Sequence, residues 1–462
     1  MTIPNSLAKE FRSFLGQDGV FTEKADLLAY AYDSAVLEES VPAAVLAPSD
    51  RESLGKAVAL CYRAGLPITV RGSGTNLSGA TLPEPGDSAV ILTGRLNRIL
   101  EINPRDLYAV VEPGVVTARF AEAAAAQGLF YPPDPGSQEV STLGGNVALN
   151  AGGLRGLKYG VTKDYLMGLE FFDHEGELVK TGSRTVKCVT GYNLAGLMLA
   201  SEGTLGVFST LILKLLPPPR ASKAMLAVYP RFTQAAEAVS EIIAARILPC
   251  TLEFMDMMCI RAVEGFFRIG LPVEAGAILL AEVDGGSREG VEEDARAVAS
   301  ICRRCGASEV REARDQAEKA KIWEARRNAL PSLARLRPTT VLEDATVPRS
   351  RLPEMVEAIA ALAARHRLEV GVFGHAGDGN LHPTILCDRR DAEEFARVEA
   401  MVDGIFEAAL GLQGTLSGEH GIGVAKAKWM EKETNRATVE FSKRLRRALD
   451  PKLLFNPGKM FV

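Results

Sequence analysis

Ser141-Thr142-Leu143-Gly144-Gly145-Asn146-Val147-Ala148-Leu149-Asn150-Ala151-Gly152-Gly153 places four glycines in its last ten positions. An interior glycine costs an ordinary helix or strand roughly 0.5–1 kcal/mol relative to alanine, so this density points to backbone that must come close to something rigid. The run continues through Tyr159-Gly160 to Asp164. Upstream, Arg71-Gly72-Ser73-Gly74-Thr75-Asn76-Leu77-Ser78-Gly79 follows an apolar strand directly. Its small residues let backbone N–H groups converge on phosphate oxygens. Leu77 stands where the third glycine of a dinucleotide fingerprint belongs, and the lysine ending of a triphosphate loop is missing, so a plain turn fits this stretch equally well on its own. Glu202-Gly203-Thr204-Leu205-Gly206 makes a third such turn before another strand.

Around these clusters, Ala43–Ala47, Ile68–Arg71, Ala89–Thr93, Tyr108–Glu112, Leu169–Asp173 and Gly206–Leu215 read as strands. Ser49-Asp50-Arg51-Glu52 reads as a capping box opening a helix that stops at Gly65, and Thr117 opens another that stops at Gly128. Pro217-Pro218-Pro219 continues neither helix nor central strand and marks a domain boundary. Beyond it, helical stretches (Ala235–Ala245, Ser287–Cys305, Ala313–Leu336, Pro353–His366) alternate with runs such as Ala277–Val283, the pattern of an antiparallel sheet with covering helices. The tail is again helical at Asp403–Leu412 and Asn435–Leu449. The fold class expected is α+β, with a helical segment at 1–36, a first domain at 37–219 and a second at 220–462, of which 415–462 returns to the first.

The chain has 462 residues, 47% of them hydrophobic, which suits two or three folded domains. Its net charge of −5 and the lack of a basic run exclude the electrostatic footprint of nucleic-acid binding. Nowhere do eighteen apolar residues run together, and residues 1–20 carry no signal-peptide pattern, so no transmembrane segment and a cytoplasmic location are expected. Seven cysteines, among them Cys61, Cys188, Cys250, Cys259 and Cys387 with apolar neighbours, read as reduced buried thiols. Cys302-Arg303-Arg304-Cys305 has redox spacing but lies in an amphipathic helix pattern, not at a strand-to-helix junction. Four clustered cysteines for an iron–sulfur centre are missing, so any such cluster belongs to another polypeptide.

Chemistry is expected at Phe373-Gly374-His375-Ala376-Gly377-Asp378-Gly379-Asn380-Leu381-His382 and Ser417-Gly418-Glu419-His420-Gly421, which hold three of the five histidines. Seven extended steps from His375 to His382 would span roughly 24 Å, whereas two imidazoles on one ion each lie at about 2.0–2.1 Å from it. The chain must turn between them, and Gly377-Asp378-Gly379-Asn380 supplies residues that tolerate positive φ. Glu419 offers a third ligand, and two histidines with one carboxylate leave open positions on a divalent metal such as zinc. Turn glycines with core or surface histidines would explain either segment alone.

Three glycine clusters in this order, with Pro132-Pro133-Asp134-Pro135 before the second, resemble the flavin domain of the vanillyl-alcohol oxidase (PCMH-type) superfamily. The segments at 374–382 and 417–423, with Asn456-Pro457-Gly458-Lys459, are similar to the FAD-linked subunit of glycolate oxidase and to D-lactate and D-2-hydroxyglutarate dehydrogenases. The resemblance spans nearly the whole chain and implies a two-part FAD-binding domain with a C-terminal substrate domain. It implies FAD along Arg71, Gly72, Ser73, Gly74, Thr75, Asn76, Pro133, Asp134, Thr142, Gly144, Gly145, Asn146, Asn150, Gly152, Gly153, Gly160, Asp164, Glu202, Gly203, Gly206 and Asn456. Attachment is expected to be non-covalent, since no histidine or cysteine lies in Gly72–Gly79.

Oxidation of a 2-hydroxy acid needs the hydroxyl proton removed and a hydride passed to flavin N5. The reading gives the metal to His375, His382 and Glu419, the proton to His420 and the substrate carboxylate to Arg326, which follows Trp323 by three residues as in the family; an exposed helix face is the other reading of that segment. Val341-Leu342-Glu343-Asp344 replaces the lysine of relatives that take a second carboxylate, which favours D-lactate or glycolate over D-2-hydroxyglutarate. Electrons are expected to pass to an iron–sulfur subunit or an electron-transfer flavoprotein, with peripheral membrane attachment through that partner and a homodimer both compatible. Ether-lipid synthases share the architecture as a non-redox alternative, but favour a basic surface that this chain, at pI 5.8, lacks.

Overall fold

The computed structural model describes residues 3–84 and 86–461. The chain forms two compact units: Met1–Gly152, Val161–Pro218 and Glu419–Val462 make the first, Gly153–Gly160 and Pro219–Gly418 the second.

In the first unit, Ala44–Leu46, Ala89–Leu92 and Ile68–Arg71 pair in parallel, and Val20–Phe21 joins antiparallel at one edge. Parallel strands are buried on both faces, and these are almost wholly so. The helix Arg51–Ala64 packs Leu54, Val58 and Cys61 into their core. Its capping box falls one residue later than expected. Asp50 accepts the Ser53 amide at 2.8 Å and its own amide donates to Ser53 Oγ at 3.3 Å, putting a carboxylate at the helix N-terminus, where the dipole favours it. A second sheet runs in the order Ile99–Asn103, Tyr108–Val111, Val207–Lys214, Leu166–Phe172, Leu178–Gly182, all antiparallel. The C-terminus returns to the first sheet: the Ile68 amide donates to Leu454 O and the Asn456 amide to Ile68 O, each at 2.7 Å.

The second unit is built on one antiparallel sheet. Its path is Glu309–Glu312, Ala221–Tyr229, Ala277–Gly285, Thr251–Asp256, Glu369–His375, Asn380–Cys387, Thr339–Leu342, with Ala345–Thr346 also on Asn380–Cys387. One face carries the larger core under Phe232–Ala244, Arg288–Arg304, Leu352–His366 and Ala392–Gly411. The other packs Met257–Phe267, Gln316–Arg327 and Ala329–Leu333 over Leu226, Leu280 and Phe373. The helix expected over Ala313–Leu336 is thus two pieces, because Pro331 has no amide for the Arg327 carbonyl. The tail helix starts at Ala392, where Asp391 caps it, rather than at Asp403. Residues 153–160 belong here, held by the Lys158 ammonium on Asp284 and by Tyr159 Oη on Asp284 Oδ2 at 2.6 Å.

Among the described residues no helix is long and apolar enough to cross a membrane. Burial pushes the Cys302 and Cys305 thiols up, which argues against a reactive pair. Cys188, read as buried, is exposed instead. Its neighbours Val186, Val189 and Tyr192 are more than nine-tenths exposed, so their apolar character reflects a surface loop and not a core.

Candidate functional site

The glycine clusters of the first unit converge on one cleft. Gly72, Gly144, Gly145, Glu202, Gly203 and Gly206 line it, with Val70, Ala148 and Phe208 as apolar wall. The glycines divide by cause. A Cβ on Gly72 would meet Thr142 Oγ1 at 2.2 Å, and one on Gly144 would meet Pro113 Cβ at 2.6 Å and Pro113 O at 2.9 Å, so chain packing on chain requires both. Glycine density therefore has a packing component that the sequence reading underrated. Gly145 has only Thr142 Oγ1, at 3.2 Å, and Gly203, at φ +71°, has nothing nearer than 3.7 Å, so both turn bare backbone toward the cleft. A bare-backbone, mainly apolar cleft flanked by polar loops suits an extended dinucleotide such as FAD.

Most of the remaining expected cofactor residues brace this wall. Arg71 donates to Tyr32 O at 2.7 Å, Ser73 Oγ to Val140 O at 2.5 Å, and Asn76 Oδ1 accepts the Ala80 amide at 2.9 Å. Gly74 turns at φ +72°, Thr142 caps Leu143–Leu149 through the Gly145 amide, and Asn146 donates to Thr117 Oγ1 at 2.9 Å. Asn150 accepts the Lys163 amide and Asp164 the Val161 amide, which fixes the chain's re-entry after Gly160. Asn456 donates to Ala80 O at 2.8 Å and Glu202 O at 2.6 Å. Pro133 and Asp134 are buried, Thr75 is half-buried, and Gly153 and Gly160 fall in the second unit.

Glu202 also holds the segment that carries Glu419 and His420. Its two oxygens accept the Ile422 and Gly423 amides, each at 2.7 Å, and Ser78 O accepts those of Val424 and Ala425. Glu419 Oε2 lies 2.7 Å from where a Cβ on Gly152 would stand, which accounts for that glycine. Burial pushes the Glu202 carboxyl up to about 7, against the lowering pull of the two amides and of Lys459 and Lys426. A carboxyl raised in this way adds stability below its usual value of 4.5 and loses it as pH rises through 7. Glu202→Gln, which cannot ionise, is expected to remove about 1.4 kcal/mol per pH unit of slope between about pH 5 and 7. Thermal midpoints of both proteins across that window check this, and parallel curves would refute it.

In the second unit, Glu369–His375 and Asn380–Cys387 form the expected hairpin, through a short 3-10 turn at Ala376–Asp378 and Gly379 at φ +78°. A Cβ at Gly379 would lie 2.1 Å from Val347 O, so both φ and space require glycine there. Phe373 pairs with His382 in register. The His375 and His382 rings stand 5.1 Å apart at 88°, both buried, on the sheet face that carries Trp323 and Arg326. Arg326 is buried and not on an exposed helix face. Its Nε donates to Glu253 Oε2 at 2.6 Å and its guanidinium lies 4.7 Å from the Phe373 ring. Glu253 Oε1 is 2.7 Å from His375 Nδ1. Asp344, fully buried, accepts Ser417 Oγ at 2.9 Å and lies 3.9 Å from His382 Nδ1. Sequence reasoning did not single out Glu253, although a carboxylate between Leu252 and Phe254 in a buried strand is a readable signal. Two buried imidazoles, one with Nδ1 engaged by a carboxylate, form a donor set suited to zinc.

A model of the FAD binding domain matches residues 42–182, and one of the C-terminal domain of FAD linked oxidases matches 218–460. Glycolate oxidase subunit GlcD of Bacillus subtilis is 46% identical over 97% of this chain and 95% of its own length. D-lactate dehydrogenase of Anaerostipes hadrus is 32% identical over 93% and 91%. Among solved structures, p-cresol methylhydroxylase with substrate bound superposes with a TM-score of 0.82 at 17% identity, over 99% of this chain and 96% of that one. An alkyldihydroxyacetonephosphate synthase does so at 0.78 and 18%, over 99% and 86%. These likenesses carry the expected fold: an FAD-binding domain followed by a C-terminal domain built on an antiparallel sheet. From its two matched domains and its near full-length identity to GlcD, the chain belongs to the FAD-linked oxidases, flavoprotein oxidoreductases that bind FAD.

Proposed function

We propose that the chain is an FAD-dependent 2-hydroxy-acid dehydrogenase that oxidises glycolate or D-lactate to the 2-oxo acid. The buried His375–His382 pair beside a buried arginine, in a chain of this family, is the observation that carries the proposal. When bound, FAD supplies a two-electron acceptor and a divalent metal supplies a Lewis acid for the substrate hydroxyl. His375 and His382 hold the metal through ring nitrogens, and Glu419, the residue after the second unit's last, is retained as the third ligand on its sequence position. Arg326 binds the substrate carboxylate through Nη1 and Nη2, since Nε is committed to Glu253. His420 takes the hydroxyl proton on a ring nitrogen. Removing that proton and a hydride from the carbon leaves the 2-oxo acid, so two protons and two electrons depart in all.

FAD is held without a covalent bond, in keeping with a cleft whose described lining has no histidine, cysteine or tyrosine. Electrons then leave to a partner polypeptide, an iron–sulfur subunit or an electron-transfer flavoprotein; the name of the Bacillus subtilis relative, a subunit, supports this. Likeness to the synthase is of fold alone and does not favour bond exchange on a phosphate ester. The test is anaerobic: glycolate, D-lactate, L-lactate and D-2-hydroxyglutarate are added separately to the yellow protein. Glycolate or D-lactate is expected to bleach the flavin fastest, and bleaching by none of the four would overturn the proposal.

A further inference from the structure

We infer that Glu253 is a positioning residue shared by the two halves of this site: one carboxylate selects the nitrogen that His375 presents to a metal and the edge that Arg326 presents to a carboxylate. The inference rests on the reading just proposed. Glu253 sits in the middle of Thr251–Asp256 with no solvent exposure. The neighbouring strand pairs Phe254 with Gly374 and Met255 with Phe373, and continuing that register sets Glu253 opposite His375. The two side chains meet because the backbone ladder places them together.

A carboxylate only accepts, so at 2.7 Å the His375 ring must carry its proton on Nδ1, which leaves Nε2 with the lone pair that a metal takes. A neutral histidine side chain in water prefers the Nε2–H tautomer, and Glu253 reverses that preference. The second oxygen takes the Nε–H of Arg326 at 2.6 Å while the Phe373 ring stacks on the guanidinium, so Nη1 and Nη2 are left as a fixed fork. Asp256, the other carboxylate of this strand, is committed to the amides of Cys259 and Val372 and does not duplicate the role.

The test uses the FAD-loaded chain stripped of metal and titrated with zinc against a chromophoric chelator. Glu253→Gln keeps the shape but has one acceptor, so it serves one donor and turns N–H groups on the other. Zinc affinity is expected to fall about 10–100-fold, with KM for glycolate rising alongside. With ¹⁵N-labelled histidine there are only five side chains to resolve, and a His375→Gln control identifies the signal. His375 is expected to read Nδ1–H in the metal-free wild type and to move toward Nε2–H in Glu253→Gln. An unchanged tautomer and unchanged zinc affinity would overturn the inference, since a merely structural carboxylate moves neither. Arg326→Lys keeps Glu253 in place and covers the case of a misfolded Gln variant. It should raise KM while leaving the His375 tautomer and zinc affinity as they were, and a drop in zinc affinity there also overturns the assignment. If no hydroxy acid bleaches the wild-type flavin, the functional proposal fails on its own; the wild-type tautomer still tests Glu253.

Discussion

Replacing His382 by alanine is expected to lower kcat/KM for glycolate or D-lactate by about 10³-fold while FAD content stays at the wild-type level. A Lewis acid on the substrate hydroxyl contributes several kcal/mol, and about 4 kcal/mol corresponds to about 10³ in rate. His382 lies in the second unit, whereas every residue lining the cofactor cleft belongs to the first, so flavin binding has no direct reason to change. The loss should appear in zinc content and in anaerobic flavin reduction together. Activity within tenfold of wild type would remove the metal from the mechanism and leave His382 as a packed histidine on Phe373.

The second large effect separates two neighbouring glycines. Gly144→Ala forces a methyl to 2.6 Å from Pro113 Cβ and 2.9 Å from its carbonyl, neither of which is the end of a flexible side chain. Overpacking against rigid atoms costs about 1–3 kcal/mol or more, so this variant should lose thermal stability with or without FAD. Gly145→Ala meets only the Thr142 hydroxyl, at 3.2 Å, in a helix where alanine is otherwise favoured. It should keep the fold and lose flavin, because the new methyl projects where bare backbone faces the cleft. Flavin-to-protein absorbance ratios beside thermal midpoints decide the matter. If both variants keep full flavin, the cleft is not where the cofactor lies.

The glycine clusters and the histidine hairpin were legible in the sequence because they are local: a turn needs its glycine at a given position, and His375 and His382 are seven residues apart. What escaped was long-range. Glu253 meets its histidine across 122 residues, and a lone carboxylate in an apolar strand does not name its partner. Asp344, read only as part of a segment that replaces a lysine of relatives, is fully buried and bonded to Ser417. Gly72 and Gly144 resembled cofactor glycines yet are demanded first by neighbouring chain, a distinction that appears only when the opposing atoms have positions. Apolar letters around Cys188 suggested a core because composition does not record exposure.

The returning segment at 454–456 has a consequence for folding. Thr69 and Asn456, hydrogen-bonded at 3.3 Å, are separated by 387 positions, and the Ile68 strand gains its outer neighbour only from residues 454–456. Until residues 454–456 have docked, that edge stays open and Glu202 lacks the asparagine that braces it. Closing so long a loop costs chain entropy before its contacts repay it. A chain truncated before Leu454 is therefore expected to lose flavin along with that sheet edge, read as a fall in the flavin-to-protein absorbance ratio.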